Sequence, residues 1–155
     1  MSGRCRRHSC SGSVLVFSGE EGISIAEKNA GDGGKRNTRA VGAYYEEKAA
    51  EYLRRQGYEI LEHNFRCRLG EIDLIAREDG ALVFIEVKYR AGGSHGDPSC
   101  AVNTKKRMRI SNAAAYYLYR NGWAGVSCRF DVVSITGEEL RLYRNAFEYA
   151  GQYSY

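Results

Sequence analysis

Two short apolar runs decide how this chain folds: GEIDLIA at residues 70–76 and LVFIEVK at residues 82–88. Both runs contain β-branched and aromatic residues, which favour strands. Between them lies Glu78-Asp79-Gly80, and an Asp-Gly pair is typical of a two-residue hairpin turn. The sequence therefore predicts a β-hairpin in which Glu78 pairs with Ala81.

The register of this hairpin brings charged residues together on one side. With a two-residue turn, Asp73 lies across from Glu86, and Glu71 lies across from Lys88. Strand side chains alternate between faces, so these four project from one face. Two carboxylates with Cβ atoms roughly 5 Å apart repel each other, and a divalent cation between Asp73 and Glu86 is the simplest compensation. The opposite face carries apolar side chains: Ile72, Leu74, Ala76, Val83, Ile85 and Val87.

Composition and length bound what the chain can be. Its 155 residues suffice for one domain with a core, and 43% hydrophobic with 27% charged residues is ordinary for a globular protein. No apolar run approaches the ~18 residues that cross a membrane. The apolar patch behind the basic N-terminus, residues 14–17, is shorter than a secretory signal requires, and five cysteines without a C-x-x-C pair form no disulfide framework. We therefore expect a cytoplasmic protein with no membrane partner.

The chain divides into three segments of different composition. Residues 1–38 are rich in Gly, Ser, Arg and Asn and show no sustained period, so we predict a disordered extension without a catalytic role. Residues 39–150 carry the periodic apolar patterns of a domain, and residues 151–155 form a short tail. The net charge of +4 does not by itself indicate a nucleic-acid partner. Such a partner has to be inferred from local clusters.

Apolar periodicity predicts seven elements in the order αβββαββ. A helical stripe begins near Ala40, and Gly57 ends it. Three strands and a glycine-rich loop follow, and then a second helix capped by Asn103 or Thr104. The last two elements are a strand at residues 127–135 and a short edge strand. We expect an α/β fold whose mixed central sheet is flanked by helices.

Several motifs together carry a resemblance to one protein family. They are GEIDLIA at 70–76, FIEVKYR at 84–90, EEKAAEYL at 46–53 and RFDVV at 129–133. Over about residues 40–150 the chain resembles the YraN-like family of small bacterial proteins. The resemblance implies a PD-(D/E)XK, restriction-endonuclease-like fold with a core of helix, three antiparallel strands, helix and strand. One departure is Tyr45, where the family usually has glycine before the helical glutamate.

The same resemblance assigns roles to four residues of a catalytic site. It implies that Asp73 and Glu86 bind Mg²⁺ or Mn²⁺, helped by the backbone carbonyl of Val87, and that Lys88 orients or activates the attacking water. Glu46 matches a further acidic position of the superfamily. The residue chemistry agrees, because Mg²⁺ is usually held by one or two carboxylates plus phosphate oxygens. The implied function is a metal-dependent endonuclease that hydrolyses DNA, with branched or damaged structures as candidate substrates.

Basic residues near the hairpin and the second helix indicate where a nucleic acid would bind. Residues 105–109, KKRMR, open that helix with four cations, which oppose the helix dipole. A phosphate backbone would supply the missing negative charge. Lys106, which matches a basic position of the family, and Arg109 are therefore predicted phosphate contacts. Arg66 and Arg68 at the hairpin entry are further backbone contacts, and DNA is the expected partner in preference to RNA.

Two other interpretations stay open at the level of sequence. One is a non-catalytic nucleic-acid-binding module of a repair or recombination assembly, which would use the same basic helix. The other is a structural domain, in which Glu71 and Lys88 form a cross-strand salt bridge while Asp73 and Glu86 face solvent. The intact set of Asp73, Glu86 and Lys88 favours catalysis. A homodimer would suit a nuclease that cuts both strands, but the sequence shows no interface signal.

Overall fold

The computed structural model describes residues 34–90, 102–123 and 125–151. Its elements are α1 (Gly34–Arg55), β1 (Glu59–Cys67), β2 (Gly70–Glu78), β3 (Ala81–Arg90), α2 (Thr104–Arg120), β4 (Cys128–Thr136) and β5 (Glu139–Phe147). The order αβββαββ is the one predicted, although α1 begins at Gly34 rather than near Ala40. Most of the predicted extension, the glycine-rich loop after β3 and residues 152–155 lie outside the described residues.

A five-stranded sheet in the order β1-β2-β3-β4-β5 forms the centre of the fold. β3 and β4 run parallel, whereas every other neighbouring pair is antiparallel. Parallel strands need a crossover connection, and α2 lies in that connection between β3 and β4. The prediction of an α/β fold with a mixed sheet is therefore confirmed. The edge strand β5 is nine residues long, which exceeds the short strand predicted there.

The hairpin of β2 and β3 has the predicted register. Glu78 pairs with Ala81, and the ladder continues without a shift to Leu74 opposite Ile85. The turn residues Asp79 and Gly80 have φ angles of 49° and 76°, the left-handed conformation that a type I′ turn requires. Because the ladder ends at Leu74 and Ile85, the next residues on each strand lie just beyond its hydrogen-bonded section.

The two helices cover opposite faces of the sheet. α1 buries Ala49, Ala50 and Leu53 against one face, and α2 buries Ile110 and Tyr117 against the other. Neither described helix is both long and apolar enough to cross a membrane. The face under α1 presents Leu74, Ala76, Val83, Ile85, Val133 and Ile135. The face under α2 presents Phe65, Ile75, Leu82, Phe84, Phe130 and Val132.

Ile72 departs from the predicted alternation. The sequence pattern placed it on the same face as Leu74, but it is buried on the α2 side together with Phe65 and Ile75. Ile72 pairs with Phe65 of β1, which packs on that side. Since the ladder between β2 and β3 ends at Leu74, the strand can twist at Asp73 and follow β1 instead.

Two local features position α2 against the sheet. Asn103 is the N-cap, because its side-chain oxygen accepts a hydrogen bond of 2.9 Å from the Lys106 N–H. Gly70, the first residue of β2, lies directly against the backbone of α2. A Cβ at this position would collide with the backbone carbonyl of Arg109, so only glycine permits this approach. The first turns of α2 are thereby held next to the start of β2.

Candidate functional site

Two carboxylates meet where β2 and β3 leave their ladder. Glu86 is buried, with 2% of its side chain exposed, and Asp73 is half-buried. Asp73 Oδ2 accepts a hydrogen bond of 2.7 Å from the Val87 N–H, which ties this side chain to β3 one residue after Glu86. The structure thus brings together the two acidic residues that the hairpin register placed opposite each other.

Burial and the neighbouring Glu86 change the protonation of Asp73. Burial penalises the charged form and is the main reason that the pKa of Asp73 is raised to about 7. The negative charge of Glu86 raises this pKa further, whereas the hydrogen bond from Val87 and the charge of Lys106 oppose the rise. Additional positive charge beside Asp73 would favour its ionised form.

Two lysines place positive charge around Glu86. Lys88 Nζ lies 2.9 Å from Glu86 Oε1, and Lys106 Nζ lies 3.2 Å from Glu86 Oε2. Lys106 Nζ also lies 3.2 Å from Glu71 Oε1. Burial alone would lower the pKa of Lys106, but the charges of Glu86, Asp73 and Glu71 outweigh that effect and raise it. Lys106 is therefore a permanent cation inside the site.

This pairing of charges differs from the one in the alternative interpretation of a structural domain. Glu71 pairs with Lys106 of α2, and Lys88 pairs with Glu86 of its own strand, so the salt bridge between Glu71 and Lys88 in that alternative is wrong. The reason is that the ladder ends before these residues, and they no longer face each other. The expectation that Glu86 would face solvent in a purely structural domain is also wrong, because this residue is buried.

One oxygen of the site lacks a well-formed hydrogen bond. Glu86 Oε2 is buried and accepts none, because Lys106 Nζ supplies charge at 3.2 Å without a suitable angle. An unsatisfied buried polar atom costs about 1–3 kcal/mol, so native structures retain few of them. A carboxylate oxygen of this kind, next to a second carboxylate, is the donor type that Mg²⁺ and Mn²⁺ prefer. The residues present therefore fit a divalent cation.

The number of acidic side chains limits which cation site this could be. Across residues 34–90, 102–123 and 125–151, no group of three or more His, Cys, Asp and Glu side chains is arranged to hold a metal. A cation here would take two carboxylates and complete its shell with other oxygens. Mg²⁺ is commonly bound in that way, whereas a structural zinc site needs four protein ligands.

Glu46 of α1 lies at the edge of the carboxylate pair. Its Oε2 accepts a hydrogen bond of 2.6 Å from Asn64 Nδ2 of β1. Its charge is a minor contributor to the raised pKa of Asp73, so the two groups sense each other. The neighbouring Glu47 instead forms a salt bridge of 3.0 Å with Arg54. Of the two glutamates, Glu46 is the one held near the site.

Tyr45 occupies the position at which the resemblance described above implies glycine. Its ring stacks on that of Tyr89, with centroids 3.7 Å apart and planes inclined by 13°. Tyr44 packs edge-on against Tyr45 at 5.3 Å. The pKa of Tyr45 is raised to about 12, mainly by a hydrogen bond with Tyr89 and to a smaller extent by burial. The larger residue is thus accommodated by stacking on β3, next to Lys88.

The predicted phosphate contacts fall into two groups. Lys106 points into the carboxylate cluster and is not a free surface cation. Arg66, Arg68 and Arg109 are exposed. Lys106 is the main reason that the pKa of Glu71 is lowered, and the charges of Arg66 and Arg109 lower it further. These two arginines therefore form a positive rim next to the site.

Sequence patterns missed two contacts of this site. The contact of Lys106 with Glu86 joins α2 to β3, and the only signal for it was the unopposed positive charge at the start of the helix. Asn64, which holds Glu46, had no signal beyond its residue type. Its φ of 55° is a left-handed conformation that asparagine tolerates better than most residues.

Comparison with known proteins identifies the family to which this chain belongs. Residues 45–135 match the model of the Uncharacterised protein family UPF0102. A UPF0102 protein of Lachnoclostridium phytofermentans is 51% identical over 116 residues, which are 74% of this chain and 98% of the relative. The chain belongs to the UPF0102 family. The predicted membership of this family, the YraN-like one, is confirmed.

Further UPF0102 relatives show the same coverage. One from Syntrophus aciditrophicus is 44% identical over 114 residues, which are 71% of this chain and 90% of the relative. One from Geobacter sulfurreducens is 42% identical over 122 residues, which are 76% of this chain and 95% of the relative. The UPF0102 match contains all the central residues of the site: Glu46, Asp73, Glu86, Lys88 and Lys106.

Proposed function

We propose that this UPF0102 protein is a metal-dependent endonuclease with a restriction-endonuclease-like, PD-(D/E)XK fold that hydrolyses phosphodiester bonds of DNA. The observation that carries the proposal is the pair of Asp73 and Glu86, in which one buried oxygen of Glu86 accepts no hydrogen bond. The mixed sheet with a helix on each face is compatible with that fold.

Asp73 and Glu86 are the residues that would hold Mg²⁺ or Mn²⁺. When bound, such an ion polarises the scissile phosphate and makes a coordinated water more acidic. Both carboxylates are preorganised for this role. Asp73 is fixed by the Val87 N–H, and Glu86 is fixed by its burial and by Lys88. Ligands held on rigid strands keep their geometry better than ligands on loops.

Lys88 is suited to act beside the reacting phosphate. Its ammonium group contacts Glu86 Oε1, while 35% of its side chain remains exposed. It therefore lies between the buried carboxylate and the solvent from which a substrate would approach. A fixed positive charge at that point stabilises the negative charge that develops on phosphoryl oxygens, and it can orient the attacking water. Glu46 provides a further carboxylate on the other flank.

Lys106 competes with a divalent cation for the same oxygen. Its Nζ lies 3.2 Å from Glu86 Oε2, the atom that best fits a metal ligand. Two positive charges cannot share that oxygen at close range without strong repulsion. If Asp73 and Glu86 held a cation, Lys106 would move away from Glu86 Oε2. Its ammonium group would keep Glu71 as a partner and could also contact a substrate phosphate.

A second candidate function is a non-catalytic nucleic-acid-binding module of a repair or recombination assembly. The observation that favours it is the pair of ammonium groups at 2.9 Å and 3.2 Å from Glu86. They compensate part of the negative charge of the site without a metal. In this candidate the exposed arginines Arg66, Arg68 and Arg109 would bind phosphates, and no bond would be cleaved.

A cleavage assay with matched variants separates these candidates. The full chain is incubated with labelled linear, nicked and four-way DNA in Mg²⁺, Mn²⁺ or EDTA. We expect cleavage with either metal, none in EDTA, and none with Asp73→Asn. The control Asp79→Asn makes the same substitution in the exposed turn at the other end of β2 and should cleave like the wild type.

Each other outcome of that assay has a clear meaning. Binding without cleavage by the wild type in both metals would support the module. Full activity of Asp73→Asn would contradict the proposed site.

A further inference from the structure

A groove with a volume of about 580 Å³ lies between the β1–β2 turn and the C-terminal half of α2. Its walls combine positive charge with apolar surface. The lining residues are Arg66, Cys67, Arg68, Leu69, Tyr116 and Arg120. Three guanidinium groups around an aromatic ring suit a ligand that is both anionic and planar.

Tyr116 is the aromatic wall of the groove. The residue is 37% exposed, and its ring packs against Phe65 with centroids 6.5 Å apart and planes inclined by 28°. Phe65 is itself buried, so Tyr116 is supported from below. A ring that is held on one side and open on the other offers a stacking surface for a nucleobase.

The arginines of the groove are available for an external anion. Arg66, Arg68 and Arg120 are all exposed. None of them forms a salt bridge with another residue that the structure describes. Arginine binds phosphate through two parallel hydrogen bonds and also stacks on planar groups. Phosphates of a nucleic-acid backbone would therefore find their counter-charge here.

A stripe of side chains on α2 connects the groove to the carboxylate site. At 3.6 residues per turn, Lys106, Arg109, Tyr116 and Arg120 fall within about 80° of the helix circumference. Lys106 and Tyr116 are separated along the axis by about 15 Å, at 1.5 Å per residue. Because one strand of B-form DNA advances 3.4 Å per nucleotide and an unpaired strand can extend further, this distance corresponds to a few nucleotides.

We propose that the groove binds a single-stranded segment of nucleic acid, a few nucleotides from the phosphate held at the carboxylate site. This inference rests on the proposed endonuclease function. It narrows the substrate of that endonuclease to DNA with an unpaired stretch, such as an overhang, a flap or a gap. Bases inside an intact duplex are stacked on one another and do not reach Tyr116, whereas unpaired bases do.

Binding measured in EDTA tests this proposal apart from cleavage. The probes are a labelled single-stranded oligodeoxynucleotide and a blunt duplex of the same length, each titrated with the full chain by fluorescence anisotropy. Tyr116→Ala should weaken single-strand binding by a factor between about 5 and 100, because the contact with one stacked base is lost. The same substitution should leave duplex binding unchanged. The matched control Tyr119→Ala removes a tyrosine of the same helix that is 67% exposed and does not line the groove.

Single-strand binding by Tyr116→Ala that equals the wild type, or an equal loss in Tyr119→Ala, would overturn the groove proposal. If the wild type cleaves no DNA but Tyr116→Ala still weakens single-strand binding, the endonuclease proposal fails and the groove stands. If Tyr116→Ala cleaves DNA like the wild type, the endonuclease proposal is supported and the groove proposal is contradicted.

A second variant guards against a folding defect in Tyr116→Ala. Arg120→Met changes an exposed side chain that lines the groove. It should reduce the salt dependence of single-strand binding by about 0.7 in slope, the value for one lost phosphate contact. An unchanged slope would count against the groove.

Discussion

Two buried carboxylates lie on opposite faces of one sheet, and they differ in how many hydrogen bonds they accept. On the α1 side, Asp131 is fully buried and accepts hydrogen bonds from Tyr58 Oη at 2.9 Å, Arg129 Nε at 3.1 Å and Asn145 N at 2.8 Å. On the α2 side, Glu86 is almost equally buried, yet its Oε2 accepts no hydrogen bond. A satisfied cluster holds strands together, whereas an unsatisfied one is expected where a ligand binds.

The charges of the two clusters differ in the same way. On the α1 side, Arg129 Nη2 lies 2.8 Å from Glu78 Oε2, and Arg144 Nη2 lies 2.7 Å from Glu78 Oε1. With Asp131, this cluster has two carboxylates and two guanidinium groups, and it joins β2, β4 and β5. Burial, and then the charge of Asp131, raises the pKa of Tyr58 and keeps its hydroxyl protonated as a donor.

The α2-side cluster has an excess of negative charge. Its carboxylates are Asp73, Glu86 and Glu71, and its cations are Lys88 and Lys106. With Asp73 ionised, the α2 side therefore lacks one positive charge, whereas the charges on the α1 side balance. We propose a structural role for the α1-side network and a ligand-binding role for the α2-side network, and four substitutions test this difference.

The largest effect is expected from Asp131→Asn. The substitution removes one of the two buried carboxylates that pair with Arg129. Breaking a buried ion pair costs about 3 kcal/mol of unfolding free energy. The measurement is urea denaturation of the full chain. Glu139→Gln serves as the control, because Glu139 and Arg141 form a more exposed pair that should contribute less than about 1 kcal/mol. A loss below about 1 kcal/mol for Asp131→Asn would remove the structural role of its network.

Gly70→Ala should come next, with a loss of about 2 kcal/mol. The added Cβ collides with the backbone of Arg109, and overpacking of this kind costs roughly 1–3 kcal/mol. Because α2 carries Lys106, cleavage should decline as well. The matched control is Gly42→Ala in α1, where the new Cβ meets only Glu46 Oε1 at 3.8 Å. That control should gain roughly 0.5–1 kcal/mol from helix propensity, and equal effects at both glycines would contradict the close approach.

The parts of the fold that depend on local signals could be predicted from the sequence. Asp79 and Gly80 specify the turn and therefore the register from Glu78 back to Leu74. The alternation of apolar residues identified the faces that α1 and α2 cover, with the exception of Ile72. Asn103 was one of two expected caps of α2.

The parts that depend on the spatial relation of distant elements could not be predicted. The end of the ladder at Leu74 is set by the twist of the sheet, and it decides that Glu71 pairs with Lys106 rather than Lys88. The distance between Lys106 and Glu86 follows from the packing of α2, which no local pattern encodes. For the same reason the sequence named Lys88 and Lys106 as site residues but did not predict that both would contact Glu86.

A smaller effect is expected from Lys106→Met on DNA affinity. In EDTA, Lys106 is occupied by Glu71 and Glu86, so the salt dependence of duplex binding should not change. In Ca²⁺, which also prefers oxygen ligands, the released Lys106 should contact a phosphate. The substitution should then reduce the slope of log affinity against log salt by about 0.9. Fluorescence anisotropy over a salt series measures both slopes.

Lys105→Met is the control for that experiment. Lys105 is exposed, so any effect of this substitution should be the same with and without Ca²⁺. If the slope of log affinity against log salt for Lys106→Met differs from that of the wild type by the same amount with and without Ca²⁺, no cation displaces Lys106 from Glu86.

The smallest effect on stability is expected from Glu86→Gln. The substitution removes a buried charge that opposes ionisation of Asp73 and lacks one hydrogen bond. Lys88 and Lys106 keep 35% and 22% of their side chains exposed and can turn toward water. We expect a change in unfolding free energy below about 1 kcal/mol, together with loss of cleavage. A destabilisation as large as that of Asp131→Asn would contradict the proposed difference in role between the two clusters.

The most direct test of the carboxylate pair is the binding of Mn²⁺ to the full chain, followed by electron paramagnetic resonance with and without a short DNA duplex. The account predicts one ion per chain in the wild type and in Asp79→Asn, and no measurable binding in Asp73→Asn. Equal binding by wild type and Asp73→Asn, or no binding by the wild type in either condition, would contradict a metal site at Asp73 and Glu86.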